Sequence, residues 1–139
     1  MRVFLDTNIL LDIVEQRQPF CTAAEQTLER GDLLGCDIII AAHGLATIFY
    51  LTERQAGSGT ALAAVHQILG WAEVATLGDT EARSALGCGI IDYEDALQAA
   101  AAASSGADWL ITRDTSGFAG CPVPTLSPDE FLQRFPAPI

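Results

Sequence analysis

Short apolar runs alternate with helix-spaced segments along the whole chain, and this alternation limits the fold more than any other feature. "RVFLD", "CDIIIAA", "AEVATL", "DWLITR" and "VPTL" have the length of strands. "CDIIIAA" is continuously apolar, the pattern of a strand buried on both faces. Between the strands, "NILLDIVEQ", "CTAAEQTLERGD", "GLATIFYLTER", "TALAAVHQILGW", "DTEARSALGCG" and "DYEDALQAAAAASSGA" are expected as helices, and "SPDEFLQRF" follows the last strand. Gly31 is expected to close the second of these helices. Leu45, Ile48, Phe49 and Thr52 are expected on one side of the third, and Leu62, Val65 and Leu69 in register on the fourth. Strands alternating with helices imply a parallel sheet covered on both faces, because right-handed crossovers put helices there. Ligands of such a sheet bind beyond the carboxyl ends of its strands, where strand order reverses.

The 139 residues, half of them hydrophobic, suit one domain spanning residues 1–139. No apolar stretch nears the ~20 residues that span a bilayer, and the N-terminus lacks the pattern of a signal peptide. A cytoplasmic protein with no membrane partner is expected. Cys21, Cys36, Cys88 and Cys121 are scattered singly, which indicates neither a zinc site nor a disulfide framework. Eighteen acids face seven bases, all of them Arg, for a net charge of −11. That balance excludes the broad basic footprint of a stable nucleic-acid binder. It leaves room for cations or a basic protein partner.

Acids at the strand ends therefore matter most. Asp6 ends the first strand, and Asp114 follows "LITR" at the end of a later one. If those strands are parallel neighbours, both side chains lie on one rim. Asp92, Glu94 and Asp95 open the helix just before that later strand and can reach the same rim. Carboxylates so placed repel one another, and a divalent ion with oxygen ligands, Mg²⁺ or Mn²⁺, offsets the repulsion. Metal-assisted phosphodiester hydrolysis is the chemistry that fits. Four of these acids also have a plainer role: Asp6 as a turn former or cap, Asp92 as a helix cap, Glu94 as a favourable first-turn charge, and Asp114 with Thr115 and Ser116 as an Asx turn.

"FLDTNILLDIVEQRQPF", "DYEDALQAAAAASSGADWLITRD", "GF" and "LSPDEFL" together resemble a PIN domain, and more narrowly the VapC-type toxin nucleases of bacterial toxin–antitoxin pairs. The resemblance implies a three-layer α/β/α sandwich with a central parallel sheet of about five strands. It also implies a metal-dependent ribonuclease acting on RNA, and a cognate antitoxin partner whose segment would lie across the acidic pocket. The family's acids fall on Asp6, Asp95 and Asp114, with Asn8 as a supporting polar residue. The family usually adds an acid from the helix after the second strand. Thr47 stands in that place, and Glu53 lies nearly two turns beyond it. Either Glu94 or Asp92 completes the site, as in a branch of the family, or the site lacks a ligand.

Arg17 either suits the end of its helix or steers RNA phosphate, and Arg113 and Arg54 either touch substrate or pair with acids. His43 and His66 are not expected to be ligands, since carboxylate sites for Mg²⁺ do not need them. The hydrophobic C-terminal "FLQRFPAPI" and the many alanines suggest a homodimer. A receiver-like or dehalogenase-like phosphotransfer protein also places an Asp after its first strand. That reading fails, because both resemblances call for a lysine and the chain has none. The alternative from another class is a non-catalytic PIN-like module that binds RNA or protein through an incomplete metal site.

Overall fold

The computed structural model describes all of residues 1–139. Its elements are β1 (Arg2–Leu5), α1 (Thr7–Val14), α2 (Cys21–Leu33), β2 (Asp37–Ala41), α3 (Ala42–Ala56), α4 (Ser58–Leu69) and β3 (Ala72–Ala75). There follow α5 (Asp79–Ser84), a short 3₁₀ turn over Ala85–Gly87, α6 (Tyr93–Ser104), β4 (Trp109–Ile111), β5 (Thr125–Leu126) and α7 (Pro128–Arg134). The strands form one parallel sheet in the order β3-β2-β1-β4-β5. Consecutive strands step one way from β1 to β3, then the chain crosses back to β4 and continues the other way. The order therefore reverses between β1 and β4, which pair with Phe4 opposite Leu110 and Leu5 opposite Ile111.

Residue alternation along each strand divides the core between two faces. Phe4, Ile39 and Leu110 point to the layer built on α6, where Ala96, Ala99 and Ala102 let the helix sit close to the sheet. Val3, Leu5, Ile38, Ile40 and Ile111 point to the other layer, where they meet Ile9 and Leu10 of α1, Ile48 of α3, Ile68 of α4 and Phe131 of α7. The result is the expected α/β/α sandwich with five strands.

Three local expectations are corrected. Helix α2 continues through Gly31 to Leu33, and the chain turns at Gly35, whose φ is +66°. Gly31 serves a close approach instead, since a Cβ there would stand 2.9 Å from Ile38 Cδ1. On α4 the buried face is Ala61, Ala64 and Ile68, which leaves Leu62 and Leu69 exposed. Alanines surround that helix, so its apolar stripe is ambiguous in sequence. The C-terminal aromatics are consumed by the chain's own packing: Phe131 is fully buried, and Phe135 packs against both Phe131 and Trp109.

The starts of α6 and α7 follow their sequence signals. Ser127 caps α7 in a reciprocal capping box with Glu130, and Pro128 occupies the first turn. Asp92 caps α6 by accepting from the Asp95 N–H at 3.0 Å. At the amino-terminal rim, away from the site described below, Arg2 binds Glu73 and Asp37. No helix is long and apolar enough to cross a membrane.

Candidate active site

Asp6 follows β1 directly and caps α1, with its Oδ1 3.4 Å from the Asn8 backbone nitrogen. It is 2 % exposed and bears hydrogen bonds on both oxygens: Gln98 Nε2 donates to Oδ1 and Thr112 Oγ1 to Oδ2, each at 2.8 Å. Thr112 is the residue immediately after β4, so the hydroxyl reaches Asp6 across the reversal of strand order. Burial raises the Asp6 pKa, and the two donors oppose the rise.

Gln98 is the hub of the site. The residue is fully buried; its Oε1 accepts from the Thr7 N–H at 2.9 Å and the Thr7 hydroxyl at 3.2 Å. Its Nε2 donates to Asp6 and, one helical turn back, to Glu94 at 3.0 Å. The α3 backbone comes close here, since a Cβ on Gly44 would lie 2.6 Å from Thr7 Oγ1.

The first turn of α6 supplies the acids. Asp92, Glu94 and Asp95 each offer a carboxylate oxygen within 4.8 Å of the other two, a spacing that can hold a cation. Desolvation, followed by the Glu94 hydrogen bond and the charges of Asp6, Glu94 and Asp92, pushes the Asp95 pKa up to about 7. Glu94 moves the other way, chiefly because His43 Nε2 sits 3.1 Å from its Oε1. The negative potential of the cluster is thus felt most at Asp95, which keeps its proton up to near neutral pH.

None of the remaining sequence-derived residues belongs to this carboxylate group. Asp114 follows Thr112 by two residues, and its N–H donates to the Thr112 hydroxyl at 3.1 Å. Its Oδ1 accepts from Ser116 Oγ and the Gly117 N–H, each at 3.0 Å, which forms an Asx turn, and it stands outside the three-carboxylate group. Asn8 contributes its backbone N–H and is exposed. Arg113 makes a two-point bond to the buried Asp12, at 2.8 and 3.2 Å, and lies 3.9 Å over the Phe20 ring. Arg17 pairs with Glu15 at 2.7 Å. Thr47 turns its hydroxyl back to the His43 carbonyl at 3.2 Å, and Glu53 is exposed.

A family model described as the PIN domain matches residues 2–116, most of the chain. The chain belongs to the PIN-domain family. Among solved structures, the fold of this PIN domain is similar to VapBC2 from Rickettsia felis, bound to a promoter DNA fragment. The TM-score is 0.72 at 19% identity, over 91% of this chain and 98% of that one. It is also similar to VapBC from Salmonella typhimurium, bound to DNA (TM-score 0.72, 20% identity, 92% and 98% covered). A third likeness is to the toxin VapC20 from Mycobacterium tuberculosis, which cleaves the sarcin–ricin loop (TM-score 0.69, 16% identity, 84% and 93% covered). No curated protein matches the chain significantly.

Of the acids expected at the rim of the PIN domain, the structure groups Asp92, Glu94 and Asp95 and links Asp6 to Glu94 through Gln98, a support that the sequence reading did not name. Gln98 lies one turn after Glu94 in "EDALQ", so its helical spacing was a usable signal. Thr112 was readable as the residue that leaves β4 at the rim. The Asp12–Arg113 pair joins positions 101 apart, and only the fold brings them together. Nothing in the sequence pairs His43 with Glu94, 51 positions away.

Proposed function

We propose that the chain is a Mg²⁺- or Mn²⁺-dependent endoribonuclease that hydrolyses RNA phosphodiester bonds, the cytoplasmic toxin of a toxin–antitoxin pair. The observation that carries this reading is the group of three carboxylates, Asp92, Glu94 and Asp95, at the carboxyl rim, linked through Gln98 to the buried Asp6. The donor set fits the ion: all of these ligands are hard oxygens, and the neighbouring carboxylates that hold a proton on Asp95 would be offset by a cation. Asp95, Glu94, Asp92 and Asp6 would hold the metal. Asp114 would join them by leaving its turn, with Asn8 in support.

A bound divalent ion supplies Lewis acidity at a phosphodiester and a lower pKa for an attacking water. The protein's own part is orientation. Gln98 and Thr112 fix the rotamer of Asp6, and Gln98 draws Glu94 toward it. Arg113 and Arg17 would contact phosphate with the guanidinium edges left over from Asp12 and Glu15. A toxin role implies a cognate antitoxin, in keeping with the named toxin VapC20 among the structural neighbours. A homodimer is supported by Tyr50, Leu62 and Leu69, exposed on the α3–α4 hairpin, in place of the C-terminal aromatics.

Structured RNA incubated with the purified protein and Mn²⁺ or Mg²⁺ should be cut. Cleavage should disappear with EDTA and in Asp6→Asn and Asp95→Asn, falling at least ~100-fold. Unchanged cleavage in Asp95→Asn would remove the site assignment. The second reading, a non-catalytic interaction module, is favoured by Thr47 and Asp114 both being engaged within their own segments. It predicts a folded protein that takes up no Mn²⁺ by calorimetry.

A further inference from the structure

The acid expected from α3 is absent, yet α3 does send a side chain to the site. β2 ends at Ala41 and α3 starts at Ala42, which places His43 in the first helical turn at the carboxyl rim. Its Nε2 lies 3.1 Å from Glu94 Oε1. Adjacent donor atoms of an octahedral ion with bonds near 2.1 Å stand about 3.0 Å apart. His43 stands beside the three-carboxylate group and is hydrogen-bonded to its member Glu94, at a distance equal to one edge of such an octahedron. Thr47, one turn further along, is committed to the His43 carbonyl and offers nothing in its place.

We propose that His43 supplies a nitrogen ligand to the metal centre through Nε2, and that this nitrogen biases the centre toward Mn²⁺ over Mg²⁺. The proposal rests on the metal-dependent reading above. Mg²⁺ holds closely to oxygen ligands, whereas first-row transition ions gain from imidazole. One imidazole among carboxylates therefore acts on metal choice more than on total affinity. His43 Nδ1 is buried and has no hydrogen-bond partner. The bond to Glu94 needs the proton on Nε2, so a cation bound there displaces that proton to solvent, and the ring, protonated on Nδ1, turns its Nε2 lone pair to the ion. A metal-bound imidazole usually has an acceptor at its other nitrogen. Its lack here makes His43 a weak, exchangeable ligand.

The chain has two histidines, and the other, His66, is exposed on α4. A nitrogen signal on the metal can therefore be assigned cleanly. Pulsed electron paramagnetic resonance of the untagged full chain loaded with Mn²⁺ should show nitrogen modulation from one directly bound imidazole. The modulation should persist in His66→Gln and vanish in His43→Gln, with circular dichroism unchanged. Glutamine keeps an N–H donor for Glu94, so a merely structural role for His43 would survive the substitution. By calorimetry, Mn²⁺ affinity should fall about tenfold in His43→Gln while Mg²⁺ affinity changes little. Bound Mn²⁺ without nitrogen modulation overturns the role of His43 and leaves the metal reading standing. No uptake of Mn²⁺ overturns both.

Discussion

Gln98 carries no charge and touches no solvent, yet Thr7, Asp6 and Glu94 all depend on its single amide. Replacing it with Leu leaves the Thr7 N–H without its acceptor and Asp6 without one donor, both in a dry site. An unsatisfied buried donor costs about 1–3 kcal/mol, so Gln98→Leu is expected to lose about 2–3 kcal/mol in urea unfolding. Metal affinity should fall with it, because Asp6 and Glu94 lose their shared support. Unaltered urea stability would mean that Thr7 finds another acceptor. Asp12 and Arg113 make a second buried device, with Asp12 fully covered and Arg113 clamped between it and Phe20. That pair ties the end of β4 to α1 and sets where Thr112 can stand.

At the level of elements, the approach of α3 to the start of α1 decides the geometry of the site. The two backbones come together because position 44 has no Cβ, and an added one would meet Thr7 Oγ1 at 2.6 Å. Gly44→Ala must push Thr7 away, and with it the hydrogen bonds to Gln98. Overpacking of this kind costs about 1–3 kcal/mol. Removing the obstructing hydroxyl should recover part of the loss, so Gly44→Ala with Thr7→Ser should show no rescue and Gly44→Ala with Thr7→Ala a partial one. Additive losses in both double variants would show that the clash is relieved elsewhere. The strand and helix order was legible because "CDIIIAA" and "DWLITR" have short apolar centres of strand length set between longer helix-spaced segments. The rim was legible because Asp6 and the residues after β4 are read directly as strand ends. The supports were not, since a hydrogen bond from Thr112 to Asp6 spans the sheet and leaves no periodic trace. The face of α4 was misread for a different reason: alanine is equally at home inside and outside, so Leu62 and Leu69 drew the stripe the wrong way.

For the molecule as a whole, the crowded carboxylates tie stability to pH. The folded carboxyl of Asp95 titrates near 7, against an ordinary value of 3.8. Between those values the native state keeps a proton that the unfolded chain has released. Stability from this group is therefore complete below about pH 4, is lost as pH rises toward 7, and stays lost above it. Asp6 is shifted in the same direction and adds to the same slope. The metal-free protein is expected to melt at a lower temperature at pH 8 than at pH 5. Asp95→Asn should remove much of that difference and be the more stable protein at pH 8, and Mn²⁺ should raise the melting temperature of the wild type there. A metal-free melting temperature that rises from pH 5 to pH 8 would contradict the charge arrangement. Asp6 has a different standing, because it caps α1 and satisfies both Gln98 and Thr112. A descendant of this chain that had given up its chemistry would still be selected to keep Asp6 for folding, whereas Asp95, a burden on the fold without its cation, would be free to drift. Among related chains, the acid at the start of α6 should therefore separate working nucleases from silent ones, while the acid after β1 persists in both.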